Sequence, residues 1–307
     1  MSSKAIVAIA LAAVLVGAGA YVILSDSDGG DGKTVCVTMP WQKEMVDEIS
    51  MGTVNVKQMM GAGGDPHASE VTGGVAVAVS KAMVYLSVGS HIKWEEKNIP
   101  VIKEGVPSLP VVEISSGITL LDGGCTCGGE GHPEHEHAKD PHVWTSPKNL
   151  LHMAEKTRDT LKDADPDSAA TYDEGFSKYK ERVDALDALC REKLAGLSGD
   201  ILVWHGAWKY LFNDYAKKDG VVQIHEEAMQ DIPEVEKNPT AENIKMFVDR
   251  GYEFLYHGPS DSISKSPEAL KESGITAVLA NPLAFDFIQE MGKFVNHLHE
   301  NPPKHVP

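Results

Sequence analysis

A chain of 307 residues with 42% hydrophobic content is long enough for about two domains with cores of their own. Its 28 basic residues against 45 acidic ones leave a net charge of -17, which repels phosphate backbones and excludes nucleic acid as a partner. Carboxylates spread along the chain read as a solubilising surface that also attracts cations.

Residues 5–24 are an uncharged run, preceded by Lys4 and followed by Asp26, Asp28 and Asp31 in a Ser/Gly-rich tract. As a helix rising about 1.5 Å per residue, the run covers the roughly 30 Å hydrocarbon core of a bilayer, and the lysine before it favours a body outside the cell membrane. A cleaved signal peptide is the rival reading, since Ala18-Gly19-Ala20 resembles a small-residue cleavage site. Cleavage there leaves Tyr21 to Leu24 as an exposed apolar terminus, so an uncleaved anchor is the reading adopted.

From Thr34 onward short β-rich runs alternate with helical ones, the signature of an α/β domain with a largely parallel sheet. Strands are predicted over 34–39, 54–60, 83–88 and 111–114, with helices over 42–49 and 71–80. Ser146-Pro147 marks a helix start, serine to cap and proline at the first helical position, running to about Lys162. Pro166 opens a longer helix on which Tyr172, Phe176, Tyr179, Val183, Leu186, Cys190, Leu194 and Leu197 recur at steps of three or four. At about 45 Å it is long enough to act as a stiff spine between two lobes. Beyond Gly199 the alternation resumes, with strands over 201–204, 221–224, 254–256 and 277–279 and helices over 240–250, from Ser266-Pro267, and over 284–299. The expected organisation is an anchor and linker over 1–33, an α/β lobe over 34–146, connecting helices over 147–198 and a second α/β lobe over 199–307.

The stretch from Leu121 to Pro147 carries unusual chemistry. Cys125, Cys127, His132, His135 and His137 lie in a Gly-rich loop, and Asp140-Pro141-His142 follows at once. Imidazole and thiolate suit zinc and its neighbours, and a loop too polar to pack can present them to solvent. A Cys-x-Cys pair is a poor disulfide ring but a workable clamp for a soft metal. Cys36 and Cys190 fall on apolar faces and read as small buried hydrophobes, so a disulfide framework is not expected.

Three histidines sit beside predicted strand ends: His67 after 54–60, His142 before Val143-Trp144, and His205 after 201–204. In open α/β sheets the strand ends border the crevice where ligands bind, which here lies between the lobes. His67 and His142 share the tripeptide Asp-Pro-His. Its proline stiffens the approach, and its aspartate is placed to accept the second ring N–H, as metal-ligating histidines require. Three imidazoles suit tetrahedral zinc with one position left over.

These residues also carry a resemblance. The runs VNVKQMMGAGGDPH ending at His67 and followed by Glu70, LLDG at 120–123, DPHVW at 140–144, DPDSAATY at 165–172, VWHGAWKY at 203–210 and ANPL at 280–283 resemble, in order, the solute-binding proteins of zinc and manganese ABC transporters. The match extends over about 34–299. It implies two α/β lobes joined by one long rigid helix, with metal in the cleft between them and His67, His142 and His205 as ligands. Manganese-type members generally carry a carboxylate at the third position, so His205 implies zinc. The His-rich loop resembles the acquisition loops of zinc-type members, although its cysteine pair is unusual there. Asn281 stands where many members have an aspartate that serves as fourth ligand, and His257 where the family often shows a glutamate. Water is the reading adopted for the fourth position, with Asn281, Asp286, His257 and Glu70 as the protein alternatives or as groups behind the ligands.

The expected function is therefore capture of zinc outside the cytoplasm by a monomer and delivery to an ABC permease, with manganese, nickel or cobalt as alternative cargo. Binding needs neutral imidazoles, so affinity is expected to fall below about pH 6.5. A zinc hydrolase is the competing class, since zinc water can ionise near neutrality, but no H-E-x-x-H motif supplies its carboxylate base. A metal-dependent adhesin shares every feature named above, because docking surfaces carry no readable motif.

Overall fold

The computed structural model describes residues 33–60, 79–123 and 139–306. The apolar run at 5–24, the segment with His67 and Glu70, most of the helix expected over 71–80, and the loop with Cys125, Cys127, His132, His135 and His137 lie outside the described residues. No helix among the described residues is long and apolar enough to cross a membrane.

The first lobe starts with β1 (Thr34–Val37), α1 (Pro40–Ser50) and β2 (Asn55–Gln58). After β3 (Ala82–Ser87), α2 (Lys93–Gly105) and β4 (Val111–Glu113) complete it. The four strands form one sheet in the order β2-β1-β3-β4, every neighbouring pair parallel. Val35, Val37, Val56 and Val84 share one face of this sheet and Cys36 and Tyr85 the other, all of them buried, as helix-covered parallel strands require. Helix α2 is absent from the sequence-based expectation. Pro100 and a charged surface mask it, yet Trp94, Asn98 and Ile102, four apart, form its buried stripe.

Two helices then connect the lobes. Helix α3 spans Pro147–Ala164 and, after a 3₁₀ turn at Pro166–Ser168, α4 spans Ala169–Leu194. Every member of the expected stripe from Tyr172 to Leu194 is buried. Pro166 opens the 3₁₀ turn rather than the helix, so α4 is about 39 Å long for its 26 residues instead of 45 Å. Ser146 does not cap α3 with its side chain; its hydroxyl bonds Asp214 Oδ2 at 2.5 Å instead.

The second lobe holds β5 (Gly199–Val203), α5 (Lys209–Tyr215), β6 (Lys217–Lys218), β7 (Val221–Val222) and β8 (Ile224–Ala228). It continues through α6 (Pro233–Lys237), α7 (Ala241–Arg250), β9 (Phe254–His257), α8 (Pro267–Ser273), β10 (Thr276–Leu279) and α9 (Phe287–Glu300). A second parallel sheet runs β10-β9-β5-β8. The single strand expected over 221–224 is in fact two. Asp219 and Gly220, both at positive φ, turn a small antiparallel β6-β7 hairpin before β8 begins. The last helix starts at Phe287 rather than at 284, because Asp286 accepts the Gln289 amide as its cap.

Helix α4 packs against α1 of the first lobe, against α9 of the second and against α3, and one hydrophobic core runs through all of them. The α4–α1 crossing depends on Gly175. A Cβ there would stand 2.2 Å from the Ile49 carbonyl oxygen and 2.6 Å from that of Glu48. Alanine favours a helix by about 1 kcal/mol over glycine, but overpacking against fixed backbone costs about 3 kcal/mol. Gly175→Ala is thus expected to destabilise by about 2 kcal/mol, lowering Tm by roughly 4–8 °C in calorimetry. An unchanged or raised Tm would show that the helices separate freely.

Candidate metal centre

His205 follows Trp204 at the C-terminal end of β5, the central strand where the chain order of the second sheet reverses. His142 comes from the segment that joins the first lobe to α3. The strand expected around Val143-Trp144 is a 3₁₀ turn, Val143–Thr145, because Thr145 N–H folds back to the His142 carbonyl at 3.1 Å. The two imidazoles meet: their Nε2 atoms are 2.9 Å apart and their ring centroids 4.8 Å apart, in an edge-on arrangement. His142 is only 6% exposed.

The Asp-Pro-His motif does what its chemistry suggested. Asp140 Oδ1 accepts the His142 backbone N–H at 2.9 Å and faces His142 Nδ1 at 3.0 Å. A carboxylate only accepts, so Nδ1 carries the hydrogen and Nε2 presents its lone pair to His205. Burial pushes the Asp140 carboxyl up, but the bonds from His142 outweigh it and hold the group below its ordinary range. The motif is clamped from three sides. Tyr210 donates its hydroxyl to the Asp140 carbonyl at 2.7 Å, Ser90 donates to the Pro141 carbonyl at 2.8 Å, and Thr145 donates to the His142 carbonyl at 2.9 Å.

His205 is held from β8, by residues that sequence reading missed. Gln230, just past that strand, places its carboxamide against His205 Nδ1, and its backbone N–H bonds the Trp204 carbonyl at 3.1 Å. Glu226 accepts the amides of Ala207 and Trp208 at 3.2 and 2.9 Å, pinning the turn after His205. Burial raises the Glu226 carboxyl to about 7. Neither residue belongs to a motif. The one sequence signal is Gln230, a polar residue just past the end of a strand, where site residues collect.

The other candidates are placed as follows. His257 ends β9, its Nδ1 donating to the Gly258 carbonyl at 3.0 Å, and its own carbonyl accepts the Ala280 amide at 2.9 Å. That bond sets Asn281 beside it; Asn281 Oδ1 accepts the Leu283 amide at 3.0 Å. The 281–282 turn reaches the first lobe, since Trp144 Nε1, on a ring stacked against Trp41, donates to the Pro282 carbonyl at 2.7 Å. Asp286 caps α9 and pairs with Arg182 of α4 at 3.1 Å, so its carboxylate is engaged at the lobe junction. Among the described residues no three His, Cys, Asp or Glu side chains gather as a metal-binding group. His142 and His205 are brought together, and His67 and Glu70 lie outside the description.

Comparison with known proteins bears on the family and the fold. Residues 35–254 match the family described as zinc-uptake complex component A, periplasmic. The chain is 25% identical over 268 residues to the zinc-binding lipoprotein AdcA of Streptococcus pneumoniae, covering 85% of this chain but 52% of that protein. It is 27% identical over 224 residues to the iron-binding protein YfeA of Yersinia pestis, covering 72% and 68% of the two chains. The crystal structure of ZnuA superposes with a TM-score of 0.69 at 20% identity, over 88% of this chain and 99% of that one, a likeness of fold. The chain thus spans about half the length of the AdcA relative it matches. With more than two thirds of its length under that one family model, and with the two parallel sheets and spine helix in place, this chain belongs to the zinc-uptake complex component A family.

Proposed function

We propose that this protein captures zinc outside the cytoplasm in the cleft between its lobes and delivers it to an ABC permease. The observation that carries the reading is the pair of converging imidazoles, His142 Nε2 and His205 Nε2, 2.9 Å apart at the end of β5. Two imidazole nitrogens this close at a strand end can share one hydrogen between them, and without that hydrogen both lone pairs are open to a divalent cation. Zinc is the cargo, and the names of the family and of AdcA support that choice over the iron named for YfeA. His67 is the third ligand in this reading and water the fourth. The Asn281 oxygen accepts the Leu283 amide and the Asp286 carboxylate pairs with Arg182, which favours water over either of them.

The lobes are read as residues 34–146 and 199–307, with 147–198 between them. Residues 5–24 are read as a membrane anchor, which keeps the body near its permease. Cys125, Cys127, His132, His135 and His137 are read as a loop that raises the local zinc concentration, since tethered ligands act at high effective concentration. Binding rather than catalysis follows from the cleft chemistry. Neither Asp140 nor Glu226 is free to activate water, one being held by His142 and the other by two backbone amides.

The test is metal content and competitive affinity of residues 31–307 against zinc, manganese, nickel, cobalt and ferrous iron, with and without residues 125–138. One tight zinc that survives loop removal supports the cleft. Tight binding lost with the loop would move the site there and overturn the reading.

A further inference from the structure

We propose that the open cavity beyond the ends of β3 and β4 binds a small organic cation, an ammonium group on an apolar body, through the Glu113 carboxylate and the Ser115 hydroxyl. The site is built from residues other than the metal ligands and does not depend on the zinc reading.

Strands β3 and β4 are parallel neighbours with Ser87 opposite Glu113, so the turns that leave them open at the same end of the sheet, where α/β proteins collect ligands. Between these turns and α2 lies a cavity of about 460 Å³. That volume suits a small molecule rather than a bare ion. Gly89, at φ +79°, forms part of its lining. A Cβ there would stand 3.0 Å from Ser115 Oγ and 3.2 Å from Glu113 Oε2, so both oxygens face one place that glycine leaves open. Ser115 is 5% exposed and lines the cavity, and its hydroxyl has no hydrogen-bond partner among the described residues. Its bonding capacity is directed at whatever enters.

The charge in the cavity is negative. Glu95, Glu96 and Glu113 line it, and among the described residues His91 is the one basic side chain that does. Two of the three carboxylates are engaged by the protein. His91 Nδ1 bonds Glu96 Oε1 at 3.0 Å, and Glu95 accepts the Val88 and Gly89 amides at 2.8 Å each. Glu113 pairs with no cation among the described residues, and after burial its charge is a further cause that raises the Glu95 carboxyl. An ammonium above Gly89 gives a hydrogen bond to each oxygen and neutralises this carboxylate. Ile99 and Ile118, both half-buried, also line the cavity and offer cover to a hydrocarbon body. A metal ion fits less well, because no three His, Cys, Asp or Glu side chains among the described residues gather to hold one.

Isothermal titration calorimetry of the full-length chain with n-butylammonium, butan-1-ol and butanoate tests the site, with zinc competition run alongside. The ammonium is expected to bind saturably and at least about 10-fold more tightly than the alcohol, with no binding of the carboxylate. Glu113→Gln keeps the shape and loses the charge, and should weaken ammonium binding about 10- to 100-fold; Ser115→Ala should weaken it about 3- to 10-fold, since hydrogen bonds to charged groups contribute more than neutral ones. Both variants should keep the parent's melting temperature and zinc affinity, which separates this site from the metal centre and from a folding defect. Parental ammonium affinity in Glu113→Gln, or equal binding of alcohol and ammonium, would overturn the inference. So would the absence of saturable ammonium binding, or binding of calcium chloride in its place that is lost in Glu113→Gln, which would make the cavity a metal-ion site.

Discussion

Alanine at His205 is expected to weaken zinc binding by about two to three orders of magnitude, and alanine at His142 by at least as much. Structural zinc sites are worth about 10–16 kcal/mol, or about 2.5–4 kcal/mol per ligand when shared among four, and each 1.4 kcal/mol is about tenfold. The two variants should differ in the metal-free state. His142 supplies two hydrogen bonds to the buried Asp140, from its ring and from its backbone, so removing the ring strips the carboxylate of its Nδ1 partner and lowers Tm. His205 leans on neutral Gln230, and its loss should leave Tm nearly unchanged. Competition against a zinc chelator measures both affinities. Parental affinity in both variants would remove the cleft as the site.

Stability without metal is expected to fall as the pH rises from about 5 to 7.5, the reverse of ordinary acid sensitivity. Burial raises the carboxyls of Glu44 and Glu95 from 4.5 to about 7. Glu95 lies 3% exposed behind β3, accepting the amides of Val88 and Gly89 and the Thr38 hydroxyl. Glu44 shares the single charge of Arg182 with Glu48 and Asp286, so its own ionisation is poorly compensated. A carboxyl whose folded value lies above its unfolded one holds more protons when folded. Its stabilising contribution is full below about pH 4.5 and lost as the pH passes through 7. A shift from 4.5 to about 7 corresponds to about 3 kcal/mol for each group.

The depressed groups act in another window. Asp165, held to about 2 chiefly by its bond from Lys33, loses its contribution only when the pH falls below about 4. Denaturant unfolding at pH 5, 6, 7 and 7.5, with chelator present, measures the slope. A level or rising stability over that range would mean that both glutamates ionise within the fold at little cost. Zinc binding runs the other way, since imidazoles must lose protons to ligate, so loaded and metal-free protein should diverge most at neutral pH.

The sequence by itself determined the class of the fold, two largely parallel α/β sheets and a spine helix, because period-2 and period-3.6 patterns record which faces are buried. It also marked His142 and its aspartate, since Asp-Pro-His places both groups within three residues. Local chemistry likewise identified Cys36 and Cys190 as core residues, and both thiols are buried. What pattern alone left out was every relation across a long separation. His142 and His205 stand 63 residues apart, and their meeting depends on how the second lobe folds against the segment after the first. Gln230 has no motif and acquires a role only when β8 pairs beside β5. Gly175 looks like a weak point in a helix until α4 crosses α1 with no room for a Cβ. Arg182 reads as a solvated charge until its helix places it among three carboxylates from both lobes. Periodicity reports burial along one element, whereas which elements touch is decided by the joint packing of the whole core, and the metal centre is a product of that packing.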